Sequence, residues 1–251
     1  MQRYFLEVAY KGTNYSGFQV QHNANSIQAE MGKALLILFR RQINLTGSSR
    51  TDTGVHALQN FFHFDADINL SEKNIYNLNS ILPPDIVVKN FYRVDNAAHC
   101  RFDAVSREYK YFLYSKKNPF FQETAYYFPF KFNFEILQQA AQIISTHEDF
   151  TSFSKRKTQV KHFLCNVYHS QWTKEKDQIV YTVIANRFLR GMIRGLVGTM
   201  LKAATGAISI EQFNQIFNNK NCADADFSVA AHGLFLTSVN YKDGLLDSSI
   251  E

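Results

Sequence analysis

Residues 47–57 read Gly47-Ser48-Ser49-Arg50-Thr51-Asp52-Thr53-Gly54-Val55-His56-Ala57. The stretch is polar and bounded by glycine. It sits between two segments of β-forming residues, 43–46 and 58–66, the second with Phe62 and Phe64 on one side. It therefore reads as a loop joining two strands. Working outward, residues 3–10 alternate and predict another strand. Residues 11–25, with Gly12 and Gly17, predict a loop. Asn25 or Ser26 can then cap a helix whose Ile27, Met31, Ala34, Leu35 and Leu38 share one face. On the far side, Ser71 caps a second helix with Ile75, Leu78 and Ile81 inward. Pro83 and Pro84 stop it, and residues 86–94 form a strand. The order is β-α-β-β-α-β, a ferredoxin-like unit.

The same order recurs. Residues 105–115 predict a strand, and Asn133 caps a helix with Leu137, Ala140, Ala141 and Ile144 on one face. Strands follow at 163–172 and 179–185. Helices are predicted at 187–204 and 211–218, and a strand at 234–240. The reading is an α+β chain of two tandem ferredoxin-like halves, 1–104 and 105–251, sharing a mainly antiparallel sheet with a cleft where they meet. Only the order of elements repeats, not the residues.

Composition bounds what such a chain can do. It has 251 residues, 45% of them hydrophobic and 20% charged, which excludes a disordered or collagen-like chain. The net charge of +5 suits a polyanionic partner. Arg40-Arg41, Lys116-Lys117 and Lys155-Arg156-Lys157 with Lys161 are the basic clusters that could track phosphates. Cys100, Cys165 and Cys222 are widely spaced, with no CxxC and no zinc-finger spacing, so a reduced cytoplasmic protein is expected. Glu7 interrupts any signal-peptide core, and no apolar run is long enough to span a bilayer. No P-loop, GxGxxG fingerprint or metal-ligand spacing is present.

The chemistry centres on Asp52. Asp, Thr and Gly are ordinary turn residues, so a plain hairpin turn is one reading of the loop. The other is an active-site loop with Asp52 as ionised nucleophile or base. Arg50-Thr51-Asp52-Thr53-Gly54-Val55-His56-Ala57 resembles the RTDAGVHA signature of the TruA-type tRNA pseudouridine synthases. Further matches follow in the family's order. Tyr10-Lys11-Gly12-Thr13-Asn14-Tyr15-Ser16-Gly17-Phe18-Gln19 resembles YDGTxYxGWQ. Leu82-Pro83-Pro84-Asp85-Ile86 is similar to LPxDI, and Arg107-Glu108-Tyr109-Lys110-Tyr111 to RxYxY. Residues 188–198 resemble FLxxMVRNIVG, and Gly233-Leu234-Phe235-Leu236 resembles GLxL. Ser49, Thr53, Phe18, Gly195 and Ala230 depart from the family's usual Gly, Ala, Trp, Asn and Pro.

The resemblance implies an isomerase that breaks the uridine N1–C1′ bond and rejoins the sugar to C5, at positions 38–40 of the anticodon arm. Such an isomerisation needs no redox cofactor, metal or ATP, in agreement with the motifs that are missing, and the resemblance implies Asp52 as the catalytic group. Arg50 would hold the flipped nucleotide, Tyr109 would stack on the uracil, Arg194 would pair with Asp52, and Leu234 would wall the pocket. A homodimer carrying tRNA across both subunits is implied as well. Each has a plainer reading. Arg50 is then a surface arginine, Tyr109 and Leu234 are core, and Arg194 is a solvated helix residue, although its neighbours Met192, Ile193, Leu196 and Val197 are apolar. Two other functions compete: a non-catalytic RNA-binding protein, against which stands the absence of an RNP1-like run, and a structural α+β protein.

Overall fold

The computed structural model describes residues 1–156 and 160–248. The chain is α+β, and its strands pair mostly antiparallel. It divides into two compact units. Residues 1–107 with the C-terminal segment from residue 235 make the first, and residues 108–234 the second.

In the first unit, β1 (Gln2–Tyr10), α1 (Ile27–Phe39), β2 (Thr46–Gly47), β3 (His56–Ala66), α2 (Glu72–Ile81) and β4 (Ile86–Val94) follow the predicted order. The last strand of the chain, β9 (Leu234–Tyr241), completes a sheet ordered β4-β1-β3-β9, with β2 on β3. β1 runs antiparallel to β3 and β4, whereas β9 runs parallel to β3 through His56–Phe235 and Ala57–Leu236. The expected strand at 43–46 shrinks to β2, because only Thr46 and Gly47 find partners, His63 and Phe62.

The register Phe5–His63 and Leu6–Phe62 sends alternate side chains to opposite faces. On one face Phe5 and Phe61 pack against Tyr241, 5.5 and 5.2 Å between ring centres. On the other, Phe62 stacks on Phe18 at 4.6 Å and Phe64 meets Phe91. Both faces are covered, so β1 reads as a nearly unbroken buried run rather than a clean alternation. Glu7 lies buried in that run. Lys89 compensates its charge at 3.1 Å, while Tyr92 and Gln59 donate hydrogen bonds to it at 2.7 and 3.0 Å. Gln59 also accepts from Val239 N at 3.0 Å, which ties β9 to the same network.

Helix starts follow their caps. Ser26 Oγ accepts from Ala29 N at 3.3 Å. Ser71 and Asn74 form a capping box at the start of α2. Of the three residues expected to face inward on α2, Leu78 is fully buried, while Ile75 and Ile81 are half-buried.

The second unit holds most of β5 (Ala104–Tyr114), then β6 (Tyr126–Tyr127), α3 (Phe134–Ile144), β7 (Val167–Glu175), β8 (Gln178–Ala185), α4 (Met192–Ala204) and α5 (Ile210–Asn219). Its strands are ordered β5-β8-β7, with β6 on β5. Asn133 caps α3 through Glu135 N at 2.9 Å. Leu137, Ala140, Ala141 and Ile144 are all buried, as their spacing predicts. Trp172 of β7 packs on Tyr181 of β8 and donates to Met200 Sδ of α4.

Two expected elements are shorter than their apolar patterns suggest. β7 begins at Val167 because Phe163 O and Cys165 N bond instead to Phe150 N and Glu148 O. α4 begins at Met192, not 187, because Gly191 takes a left-handed φ of 73° and Arg190 O accepts from Lys155 N.

Candidate active site

The Asp52 loop is held from beneath by neutral groups. Tyr10 Oη and Thr51 Oγ1 are hydrogen-bonded at 2.8 Å. Asn60 donates to Tyr10 Oη and Ser49 O at 3.1 and 2.8 Å, and its Oδ1 accepts from Ser49 N and Phe61 N. Phe18 N donates to Thr51 O at 3.1 Å. Burial pushes the Tyr10 hydroxyl up to about 12, so it stays protonated and can serve this network. A charged anchor would carry a far larger desolvation cost at such a place.

Beyond Thr51 the chain turns. Val55 N donates to Asp52 O at 3.1 Å, and Gly54 takes φ 78°, as the third residue of a type II turn requires. On the other side of the turn, His56 Nδ1 accepts from Gly12 N at 3.0 Å. A Cβ on Gly12 would lie 2.0 Å from Val55 O, so only glycine allows this approach. The carbonyl of Asp52, not its side chain, closes the turn. Its carboxylate is left at the corner of a fixed loop, with the residue half-buried. Arg50 is exposed on the same loop.

The N-terminal motif is locked to the 82–86 motif. Asp85 accepts from Tyr15 Oη and from Asn14 Nδ2, and its carbonyl accepts from Lys11 N. Two stretches about 70 residues apart thus hold one wall of the loop.

In the second unit, Arg194 holds the segment 227–229 that leads to Leu234. Arg194, on the first turn of α4, donates from Nε to Val229 O at 2.8 Å and from Nη2 to Phe227 O at 3.2 Å. Gly198 makes this possible, since a Cβ there would sit 2.2 Å from Asp226 O and push the segment off the helix. Tyr111 donates to Ala230 O at 2.6 Å, and its ring abuts Gly233, the residue before Leu234. Tyr109 lies two residues along the same face of β5, with Phe188 edge-on at 5.1 Å. Tyr109 and Leu234 are 7% and 6% exposed, and Arg194 is half-buried.

Residues 140–242 match the family model described as tRNA pseudouridine synthase. The chain is 41% identical to tRNA pseudouridine synthase A of Parabacteroides distasonis, over 98% of each chain. Against the protein of the same name from Bacteroides thetaiotaomicron the identity is 40%, over 98% of this chain and 93% of that one. Against the one from Bacillus subtilis it is 37%, over 94% and 98%. The chain belongs to the tRNA pseudouridine synthase family.

Three strand residues support the Asp52 loop from beneath. Asn60 and Tyr10 lie on strands β3 and β1, and His56 opens β3. The polar Asn60 amid Phe61, Phe62 and Phe64 is the signal that could have marked it. A second polar cluster joins residues whose spacing gave no sign of it. His63, His99 and Cys100 each offer one potential ligand atom, all within 4.8 Å of one another. This is the donor set that suits a soft divalent ion. The cluster is also satisfied by its own bonds: Cys100 donates from Sγ to Thr46 O at 3.2 Å and from its backbone to His63 Nδ1 at 3.3 Å. Burial pushes the thiol up to about 12 and His63 down to about 4, so both are neutral near pH 7.

No helix among the described residues is long and apolar enough to cross a membrane. Of the basic clusters, Arg40, Arg41, Lys116, Lys117, Arg156 and Lys161 are exposed and Lys155 is half-buried. Lys157 lies outside the described residues.

Proposed function

We propose that the chain converts uridine to pseudouridine in the anticodon arm of tRNA, at positions 38–40, with Asp52 as the catalytic carboxylate. The observation that carries this is the Asp52 corner, where neutral hydrogen bonds fix the backbone on both sides and the carboxylate stays at the surface of the loop. In the reaction the C1′–N1 bond breaks, the base turns, and a C1′–C5 bond forms. A proton leaves C5 and N1 gains one. Nothing is oxidised or reduced overall, so the chemistry calls for positioning and charge rather than a redox partner. Hydrolytic glycosidases commonly use two carboxylates. One serves here because the leaving base stays bound and recombines with the same sugar.

Arg50, exposed beside Asp52, holds the phosphate of the extruded nucleotide. Tyr109 stacks on the uracil, a contact worth about 1–3 kcal/mol per base, and Leu234 walls the ring. Arg194 acts as counter-charge to Asp52, and a double-mutant cycle on turnover tests that coupling. The working form is a cytoplasmic homodimer that carries tRNA across both subunits. Two buried free cysteines agree with a reducing compartment, and sedimentation as a monomer at micromolar concentration would refute the dimer.

Unmodified tRNA transcripts incubated with the wild-type protein and with Asp52→Asn test the central claim. Chemical labelling is expected to map pseudouridine in the anticodon arm with the wild type alone. Comparable modification by the variant would remove Asp52 from the mechanism.

A further inference from the structure

The second unit carries a cavity of about 360 Å³, and none of the five proposed site residues lines it. Its lining includes Ser154, Lys155, Arg156, Phe163, Lys220 and Asn221. The volume lies in the range of about 300–1,000 Å³ that small-ligand sites occupy. Three cations share one concavity. Asp149 pairs with Lys220 at 3.0 Å, so Lys155 and Arg156 remain as an excess of positive charge.

The cations are positioned rather than scattered. The Lys155 stem crosses Gly191, with Cγ, Cδ and Cε only 3.0–3.1 Å from where a Cβ would be. Its backbone N donates to Arg190 O at 2.9 Å. Lys155 is therefore held beside the N-terminus of α4, the positive end of a 13-residue helix. A cation gains nothing there for folding, whereas an anion is favoured by both the helix and the lysine. Arg156 Nε points to Cys222 Sγ at 3.4 Å, and Asn221 N is fixed to Ser152 Oγ at 3.0 Å. Lys220 caps α5 in the left-handed region, φ 50°, which sets the direction of the opposite wall. Phe163 adds a half-buried aromatic ring to this polar lining.

We infer that this cavity receives a second nucleotide of the RNA substrate. Its phosphate sits among Lys155, Arg156 and Lys220, and its base rests against Phe163. Splayed nucleotides bound by cations and aromatic rings are the usual currency of single-stranded RNA recognition. This rests on the RNA-modifying reading above and adds a contact that grips substrate away from the reacting uridine.

The test compares wild type with the double variant Lys155→Gln/Arg156→Gln and with Phe163→Ala, using an unmodified tRNA transcript. The double variant is expected to raise Kd and KM roughly tenfold with kcat unchanged, and to reduce the salt slope of log K by about 1.4. Phe163→Ala is expected to weaken binding with the salt slope kept. Saturation-transfer NMR with uridine 5′-monophosphate and phosphorus line broadening of inorganic phosphate read the cavity by difference, and the double variant is expected to weaken both signals, the remainder belonging to the uridine site. Loss of nucleotide binding with tRNA affinity intact would mean that the cavity serves free nucleotides and overturn the RNA assignment. Unchanged affinity and salt slope in the double variant, with wild-type protein still modifying tRNA, would sink the cavity alone. Wild-type protein that neither binds nor modifies tRNA would instead defeat the functional reading. If the double variant fails to fold, Lys155→Gln alone decides, with an expected loss of about 0.7 in slope.

Discussion

The two ends of β3 handle polar groups in opposite ways. At the His56 end, Tyr10, Asn60 and Thr51 form a buried neutral network whose purpose is to hold a carboxylate that it does not itself contain. At the other end, His63 and Cys100 are themselves the ionisable groups, and burial keeps them uncharged. The difference shows two ways in which this sheet carries polar groups. Neutral groups below a loop let a charge stand at its tip with little desolvation. Titratable groups placed inside the sheet lose their charge and become packing.

The sharpest way to break this comparison is at the loop tip. Asp52→Asn is expected to lower pseudouridine formation by about 10³-fold or more. Stability should change by less than about 0.5 kcal/mol, because no bond that closes the turn uses the side chain. A variant that loses activity only because its melting temperature collapses would show that Asp52 is structural, and the contrast would fail.

Asn60→Ala probes the network beneath. It leaves Ser49 N, Ser49 O and Phe61 N without their partner. The expected cost is about 3 kcal/mol in urea unfolding, with activity falling alongside as the loop loosens. A loss under about 1 kcal/mol would mean that water replaces the amide and that the loop is not held as described.

The opposite end of β3 is tested by pH. Burial, followed by the charges of His99 and Arg3, lowers His63 from 6.5 to about 4, against smaller opposing effects of Asp65 and Asp103. Between those values the unfolded chain binds more protons than the folded one. The stability contribution is therefore complete above pH 6.5 and lost as pH falls towards 4, with a limiting slope of about 1.4 kcal/mol per unit for one proton. His63→Gln is expected to flatten that slope in denaturant titrations. An unchanged slope would assign acid sensitivity to other groups.

The smallest expected effect belongs to Ser49, whose buried hydroxyl has no partner among the described residues. Ser49→Ala removes a polar group that burial penalises. It is expected to be neutral or to stabilise by about 1 kcal/mol, with activity retained. Destabilisation beyond about 1 kcal/mol, measured by the same unfolding curves, would reveal a bond that the hydroxyl makes in solution.

Much of this was legible from local patterns. Ser26, Ser71 and Asn133 announce helix starts because their side chains cap neighbours only a few residues away. The buried stripe of α3 follows from spacing alone, since period and burial are set by the same helix geometry. Asp52 stood out because a polar run between strands has few uses. The order of elements in the first unit was readable for the same reason: each element carries its own period, cap and stop.

What tertiary structure alone decided depends on partners far apart in the chain. The strand at 43–46 was shortened because backbone pairing, not β-propensity, decides where a ladder ends. The helix expected from residue 187 begins later because Lys155, over thirty residues earlier, bonds Arg190 O, and Gly191 turns left-handed beneath its stem. The parallel pairing of β9 with β3 joins residues nearly 180 positions apart. His63 meets Cys100 across 37 positions. The sequence by itself determined the elements, their caps and the catalytic candidate, because those rest on neighbours within a turn or two. Which strand ends pair, which arginine is held by which carbonyl, and which cations converge on one cavity were decided by folding, because those contacts form only after the chain has closed on itself.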